Sequence, residues 1–257
     1  MHDQLKNIRA LPHDILDKLG QLIVNRVGKN PQATMLTRDI VGHFSPYLRY
    51  KLTKSNGAFK LNAPKSIPYP PHAEITGVWK KAETIHKTNA NILGGMGTFY
   101  VHTISEIPVI QATDQDLAFY RARLIKEGEE LQFETRNNLP LVDTYIGDEY
   151  VAGYLANKAY GGGEYIEYHN EPHFWMPKTK DCHGHVLLGK EESGVFYLTA
   201  FSIPFGTGLY LSPYTLHSDA YLIGQYMVVY TVADQYSTVI FKNPNEQLLK
   251  LKFSPAP

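Results

Sequence analysis

Between residues 164 and 177 the chain reads Glu-Tyr-Ile-Glu-Tyr-His-Asn-Glu-Pro-His-Phe-Trp-Met-Pro, so that Glu167, His169, Glu171 and His173 fall at every second position. In a strand, side chains two apart face the same way, roughly 6.5–7 Å apart along the chain. Such a row turns imidazole and carboxylate groups to one side. It suits a Zn, Fe, Mn or Ni ion held at about 2.0–2.2 Å, or general acid–base chemistry. His169 and Glu171 reach one ion from one face. His173 follows Pro172, which removes a backbone donor and bends the chain, so it reads either as a further ligand or as a donor to substrate. Glu167 lies deeper on the same face, either as a general base or as a solvent-facing residue of an edge strand.

Two residues on one face do not close a metal site, and a third ligand must come from elsewhere. Two segments offer it. Cys182-His183-Gly184-His185 runs into the apolar Val186-Leu187-Leu188-Gly189, and His185 is the better placed of its two histidines. Leu211-Ser212-Pro213-Tyr214-Thr215-Leu216-His217-Ser218-Asp219 sets His217 just after a proline turn and before another strand. Arg121 and Arg123 fall on one face of the expected strand Phe119–Ile125. Turned inward, they would clamp a substrate carboxylate through bidentate hydrogen bonds; turned outward, they are a solvated face. His102 has the same two readings. Phe174-Trp175 and Tyr226–Tyr230 read as core. The glycines of Asn91–Gly97 lack the lysine and the following helix of a phosphate loop.

The elements that must position these groups divide at a proline cluster, Pro64 to Pro71, which no helix or central strand can continue through. Before it, Leu11, Ile15, Leu19, Leu22 and Ile23 recur at helical spacing, with Pro12 at a first-turn position, and predict a helix over 11–27. A second short helix is expected after Ser45-Pro46. Beyond the cluster the texture changes to short runs rich in aromatic and β-branched residues, broken by Gly, Asn and Pro. Strands are expected at Ile75–Ile85, Gly97–Ile104, Phe119–Ile125, Leu131–Glu134, Tyr150–Asn157 and Glu164–His169. More follow at Val186–Lys190, Val195–Ile203, Gly208–Leu211, Tyr221–Val232 and Thr238–Phe241. Hairpin turns are expected at Lys126–Glu129 and Tyr160–Gly163. Many short strands with such turns predict a sandwich or barrel.

Composition narrows the function. Of 257 residues, 43% are hydrophobic and 19% charged, enough for a sizeable core, and the formal net charge of zero argues against a nucleic-acid or membrane surface. The single cysteine, Cys182, excludes an internal disulfide; it reads as an incidental loop thiol, or else as a reactive or metal-binding one. The segment Met-His-Asp-Gln-Leu-Lys lacks the basic-then-apolar pattern of a signal peptide, so a cytoplasmic protein is the expectation.

With these residues in view, the chain resembles the cupin superfamily, the double-stranded β-helix barrel. The first cupin motif begins with Gly, five residues, then His-x-His. Gly163, five residues and His169-Asn170-Glu171 match it, with Glu in the second histidine's place. Gly206-Thr207-Gly208-Leu209-Tyr210-Leu211-Ser212-Pro213 followed by His217 is similar to the second motif, its proline-to-histidine gap one residue shorter. Val186–Lys190 resembles the strand after the first motif's glutamate; that glutamate is absent, and His183 or His185 stands near its place. The resemblance spans roughly residues 160–232.

It implies a mainly β chain with a cupin-like β-barrel over 73–257, which follows the helical N-terminal segment and proline-rich linker expected over 1–72. It implies one divalent metal ion, iron first, with manganese, zinc or nickel as alternatives. The ligands would be His169, Glu171 and His217, with His185 or His173 as a fourth. His173, Glu167 and Arg121 are the catalytic candidates. The implied activity is that of a metal-dependent enzyme on a small polar molecule, leaning to an iron-type oxygenase. An isomerase or lyase, or a barrel that binds a small ligand without turnover, are the alternatives. Cupins often form dimers, so a homodimer is the expected assembly.

Overall fold

A computed structural model describes residues 35–44, 50–51, 69–82, 96–126, 130–131, 133, 139–148, 150–156, 162–229, 233 and 235–256. Its strands are β1 (Met35–Phe44), β2 (Tyr50–Lys51), β3 (Ala73–Lys80), β4 (Gly97–Thr103), β5 (Ile107–Gln111), β6 (Ala122–Lys126), β7 (Glu130–Leu131), β8 (Leu139–Ile146) and β9 (Tyr165–His169). They continue as β10 (His173–Pro177), β11 (His183–Gly184), β12 (Val186–Glu192), β13 (Val195–Ser202), β14 (Thr207–Leu211), β15 (Leu216–Ser218), β16 (Leu222–Val229), β17 (Tyr236–Lys242) and β18 (Phe253–Pro255). One short helix, α1 (Asp114–Phe119), opens on Thr113. The Thr113 hydroxyl accepts from the Asp116 amide at 3.2 Å and donates to the Asp116 carboxylate at 2.6 Å, satisfying a donor that the first turn would otherwise leave open.

The strand order β12-β15-β9-β17-β4-β3-β13 returns on itself because β13 also pairs with β12, and seven strands close into a barrel. The barrel is mixed: β17 and β4 run parallel, and the other neighbours antiparallel. Closure removes the exposed edges that an open sheet must protect. A second sheet has the order β1-β8-β16-β10-β14-β6. Along the chain, consecutive strands alternate between the two. β9 is in the barrel, β10 in the second sheet, β12 and β13 in the barrel, β14 in the second sheet, β15 in the barrel, β16 in the second sheet and β17 in the barrel again. The chain is thus wound as a double spiral whose turns stack two layers.

Side chains alternate across each strand, so every barrel strand has two different faces. Phe196, Phe99, Phe241 and Ile166 point into the barrel, where Phe99 touches Phe196 at 4.5 Å and Trp79 at 5.7 Å between ring centroids. The other face of β9 and β15 looks at the second sheet and carries Tyr165, Glu167, His169 and His217. Gly208 lets β14 pass under the ring of Phe174, where any Cβ would collide with that ring.

Several expectations change. Tyr150–Asn157 is predicted as a strand, but Tyr150–Leu155 forms a π-helical turn, with the Ala156 amide bonded to the Val151 carbonyl at 2.8 Å. Tyr150 and Leu155, five apart, are both fully buried, and the wider turn puts them on one side where an extended segment would part them. Residues 11–27 and Ser45–Leu48, expected as helices, lie outside the described residues. The described parts of that N-terminal stretch are strands: β1 pairs along β8, and β2 pairs with β7. Residues 127–129 and 160–161 of the expected turns also lie outside the described residues. The strands flanking the first do not pair with each other; β6 pairs with β14.

Candidate metal centre

Three histidines converge between the barrel and the second sheet. His217 on β15 stands opposite Glu167 on β9, so His169, two residues on, shares their face. His173 begins β10 and comes from the opposite sheet, its register partner being Leu211 of β14. The chain makes this crossing in the three residues Asn170-Glu171-Pro172, and the proline lies at the corner, where no ladder amide is needed. One potential ligand atom from each of His169, His173 and His217 lies within 4.8 Å of the others, and all three residues are buried. Ring centroids are 4.9 Å apart for His169 and His217, 5.2 Å for His173 and His217, and 5.4 Å for His169 and His173.

The backbone sets the tautomers. His169 Nδ1 donates to the Glu171 carbonyl at 2.7 Å, and His217 Nδ1 donates to the Thr215 carbonyl at 2.9 Å. Each bond places the ring proton on Nδ1, so that Nε2 carries the lone pair a metal would take, the arrangement that ligating histidines use. His173 differs, since its Nδ1 accepts from the Phe174 amide at 3.2 Å. The neutral His173 ring then has its proton on Nε2, and an ion bound through that nitrogen would require the tautomer with the proton on Nδ1, in place of the bond from the Phe174 amide.

The surroundings hold these rings in place. Trp175 stacks on His173 at 4.0 Å and 16°, and its Nε1 donates to Asp219 at 3.2 Å. The other oxygen of Asp219 accepts from the Tyr165 hydroxyl at 2.8 Å, so this buried carboxylate is clamped by both layers. Glu167, only 2% exposed, accepts from the Thr238 hydroxyl at 2.7 Å and lies 3.8 Å from His217 Nε2. Neutral imidazoles in a buried pocket with a carboxylate alongside form a donor set that suits a divalent transition metal. Donor atoms around one such ion stand roughly 3–3.5 Å apart, so small rotations of the three rings would suffice.

The remaining sequence candidates are placed as follows. Glu171 is buried, and its backbone carbonyl is the group tied to His169. His185 lies apart from the cluster, stacked on Tyr221 at 5.3 Å and against Phe253 at 4.3 Å, and burial pushes its pKa down to about 4. His183 is exposed and donates to the Asp181 carbonyl at 2.8 Å; His102 is exposed. Cys182 is half-buried, and its thiol donates to the Gln225 carbonyl at 3.0 Å. Arg121 and Arg123 do not share a strand face. Phe119 ends α1, Arg121 sits in the turn before β6 at φ 57°, and only Arg123, which is buried, is in the strand. Sequence reasoning reads Trp175 as core, and it is fully buried, but passes over Asp219 and Thr238. Asp219 had a signal, being two residues beyond His217; Thr238 had none, because only the β17–β9 register brings it to Glu167.

A closed, mixed barrel of seven strands, wound together with a second sheet and carrying a buried three-histidine cluster, matches the cupin or double-stranded β-helix fold. No family model, curated protein or solved structure matches the chain, so fold and donor set carry this classification. The protein is cupin-like and has a site suited to one divalent metal ion. Among the described residues, no helix is long and apolar enough to cross a membrane.

Proposed function

We propose that the protein is a metal-dependent enzyme of the iron-type oxygenase class, acting on a small polar molecule. The observation that supports this is the convergence of His169, His173 and His217 from two sheets, with ligand atoms within 4.8 Å in a buried site. Three protein ligands leave further coordination positions to a substrate and a second reactant. A bound ion would supply Lewis acidity and, as ferrous iron, electrons to the oxidant, dioxygen. The chain's own contribution is to hold and to exclude. The Thr215 and Glu171 carbonyls orient two ligands, Trp175 fixes the third, and Glu167 stands beside His217 to hold or accept a proton, its orientation set by Thr238.

That buried carboxylate also favours a second reading, an isomerase or lyase using manganese, zinc or nickel with Glu167 as acid–base. Elemental analysis of the purified, untagged protein separates the two. Near-stoichiometric iron with substrate-dependent dioxygen uptake supports the oxygenase; manganese, zinc or nickel supports the second. A His217→Ala protein that keeps full metal content would remove the ligand assignment.

A further inference from the structure

A cavity of about 540 Å³ opens on the far side of β15 from the histidines, at the mouth of the closed barrel. Its size is that of a small-molecule site. Trp79, Tyr168, Phe196 and Leu216 wall it, Arg121 and Tyr214 stand at its rim, and none of the three histidines lines it. Leu216 and Tyr168 alternate with His217 and His169 along their strands, which is why one pair faces this space and the other the metal centre.

Three observations point to an occupant. The first is the wall itself. Trp79 stacks on Phe196 at 6.0 Å and 12° and lies 5.7 Å from Tyr168 between centroids, and its Nε1 already donates to the Ser237 hydroxyl at 3.0 Å, so its polar edge is satisfied and what the three rings present to the cavity is aromatic surface. The second is charge. Lys190 is engaged by Glu192 at 2.7 Å, and Glu191 accepts from the Gly194 amide at 2.6 Å. Among the described residues the guanidinium of Arg121 has no hydrogen bond or ion pair. The third is backbone strain at the rim. Arg121 at φ 57° and Tyr214 at φ 64° are both in the left-handed region that side chains with a Cβ avoid. They are pinned there: the Arg121 carbonyl accepts from the Ser212 amide at 3.1 Å, and the Tyr214 amide donates to the His169 carbonyl at 2.7 Å. Non-glycine residues held in this region cluster at ligand clamps.

We propose that this cavity is a second binding site, for a small aromatic carboxylate whose ring stacks on Trp79 and Tyr168 and whose carboxylate is held by Arg121. A guanidinium fork matches a carboxylate with two parallel hydrogen bonds. The site is separate from the metal centre and does not depend on it.

The test is calorimetric titration of the full chain with 2-naphthoate and with its uncharged analogue 2-naphthamide. It is repeated on Arg121→Asn, in which asparagine tolerates the left-handed backbone and an unchanged melting temperature certifies the fold. The expected result is that the parent binds naphthoate at least about tenfold more tightly than the amide. Arg121→Asn removes that advantage and leaves amide binding as it was, and protein stripped with EDTA binds naphthoate like untreated protein. No binding, equal affinity for acid and amide, or full naphthoate affinity in Arg121→Asn overturns the proposal. Loss of binding on EDTA treatment would place the carboxylate on the metal instead, and also overturns it.

Discussion

Replacing His185 with leucine should change how stability depends on pH and leave the metal in place. In the folded protein His185 is packed on Tyr221 and Phe253, and its Nε2 is buried with no hydrogen-bond partner among the described residues. Burial disfavours the charged ring and lowers its pKa to about 4, against an unfolded value of roughly 6.5. Between those values the unfolded chain binds a proton that the folded chain does not, so stability falls as the pH drops through this window and is fully regained above about pH 6.5. Taking pH 7 and pH 4.5 as end points, the two titration curves give a loss of roughly 2 kcal/mol from this one residue. Glu164 works the other way. Burial raises its pKa, partly offset by bonds from the Tyr221 hydroxyl and the Leu251 amide, so its protonation in acid favours the fold. Only the difference between parent and variant therefore isolates His185. Urea unfolding of both proteins at pH 7 and 4.5 is the assay. The parent should lose roughly 2 kcal/mol more than His185→Leu over that interval. Equal losses would refute the burial argument, and loss of metal from the variant would make His185 a ligand after all.

Trp175→Phe should cost about 1–3 kcal/mol in urea unfolding, because Asp219 stays buried and loses one of its two donors. The same change should weaken metal binding about tenfold in competition with a chelating dye, since His173 loses the indole that its ring stacks on. Glu167→Gln should keep the metal and lower turnover on the order of 10²-fold, whereas a drop in metal content would make the carboxylate a ligand. Phe99→Ala, in the barrel interior, should destabilise by about 3–5 kcal/mol by calorimetry without altering metal content. EDTA should lower the melting temperature by roughly 5–10 °C if the ion is held at about a hundred times its dissociation constant.

The parts of the site set by strand alternation were readable from the sequence; those set by pairing between distant strands were not. Glu167 and His169 share a face because of period two, and their spacing announced it; His217 joins that face only through the β15–β9 register. His173 was harder to place. Pro172 hides the direction of the chain, and only the crossing from barrel to second sheet turns this ring back toward the other two. Arg121 shows the opposite failure. Period two would align it with Arg123, but α1 runs on through Phe119 and the chain turns at Arg121 before β6 begins. The mainly β character was plain in the Val, Ile, Tyr and Phe content. Closure of the barrel was not, because it depends on β13 pairing with both β12 and β3, and local sequence does not specify such contacts.

The placement of the three histidines also bears on when the site can exist. His169 and His173 are close in sequence, but one belongs to each sheet, and His217 arrives only after two further strands of the barrel have been laid down. A nascent or partly folded chain therefore offers an ion no more than a loose chelate. Tight capture would have to await the docking of the two layers, and a captured ion would then act as a rivet through both. Metal uptake would be a clock for the last step of assembly, and removal of the metal would be felt first as a loosening between the sheets.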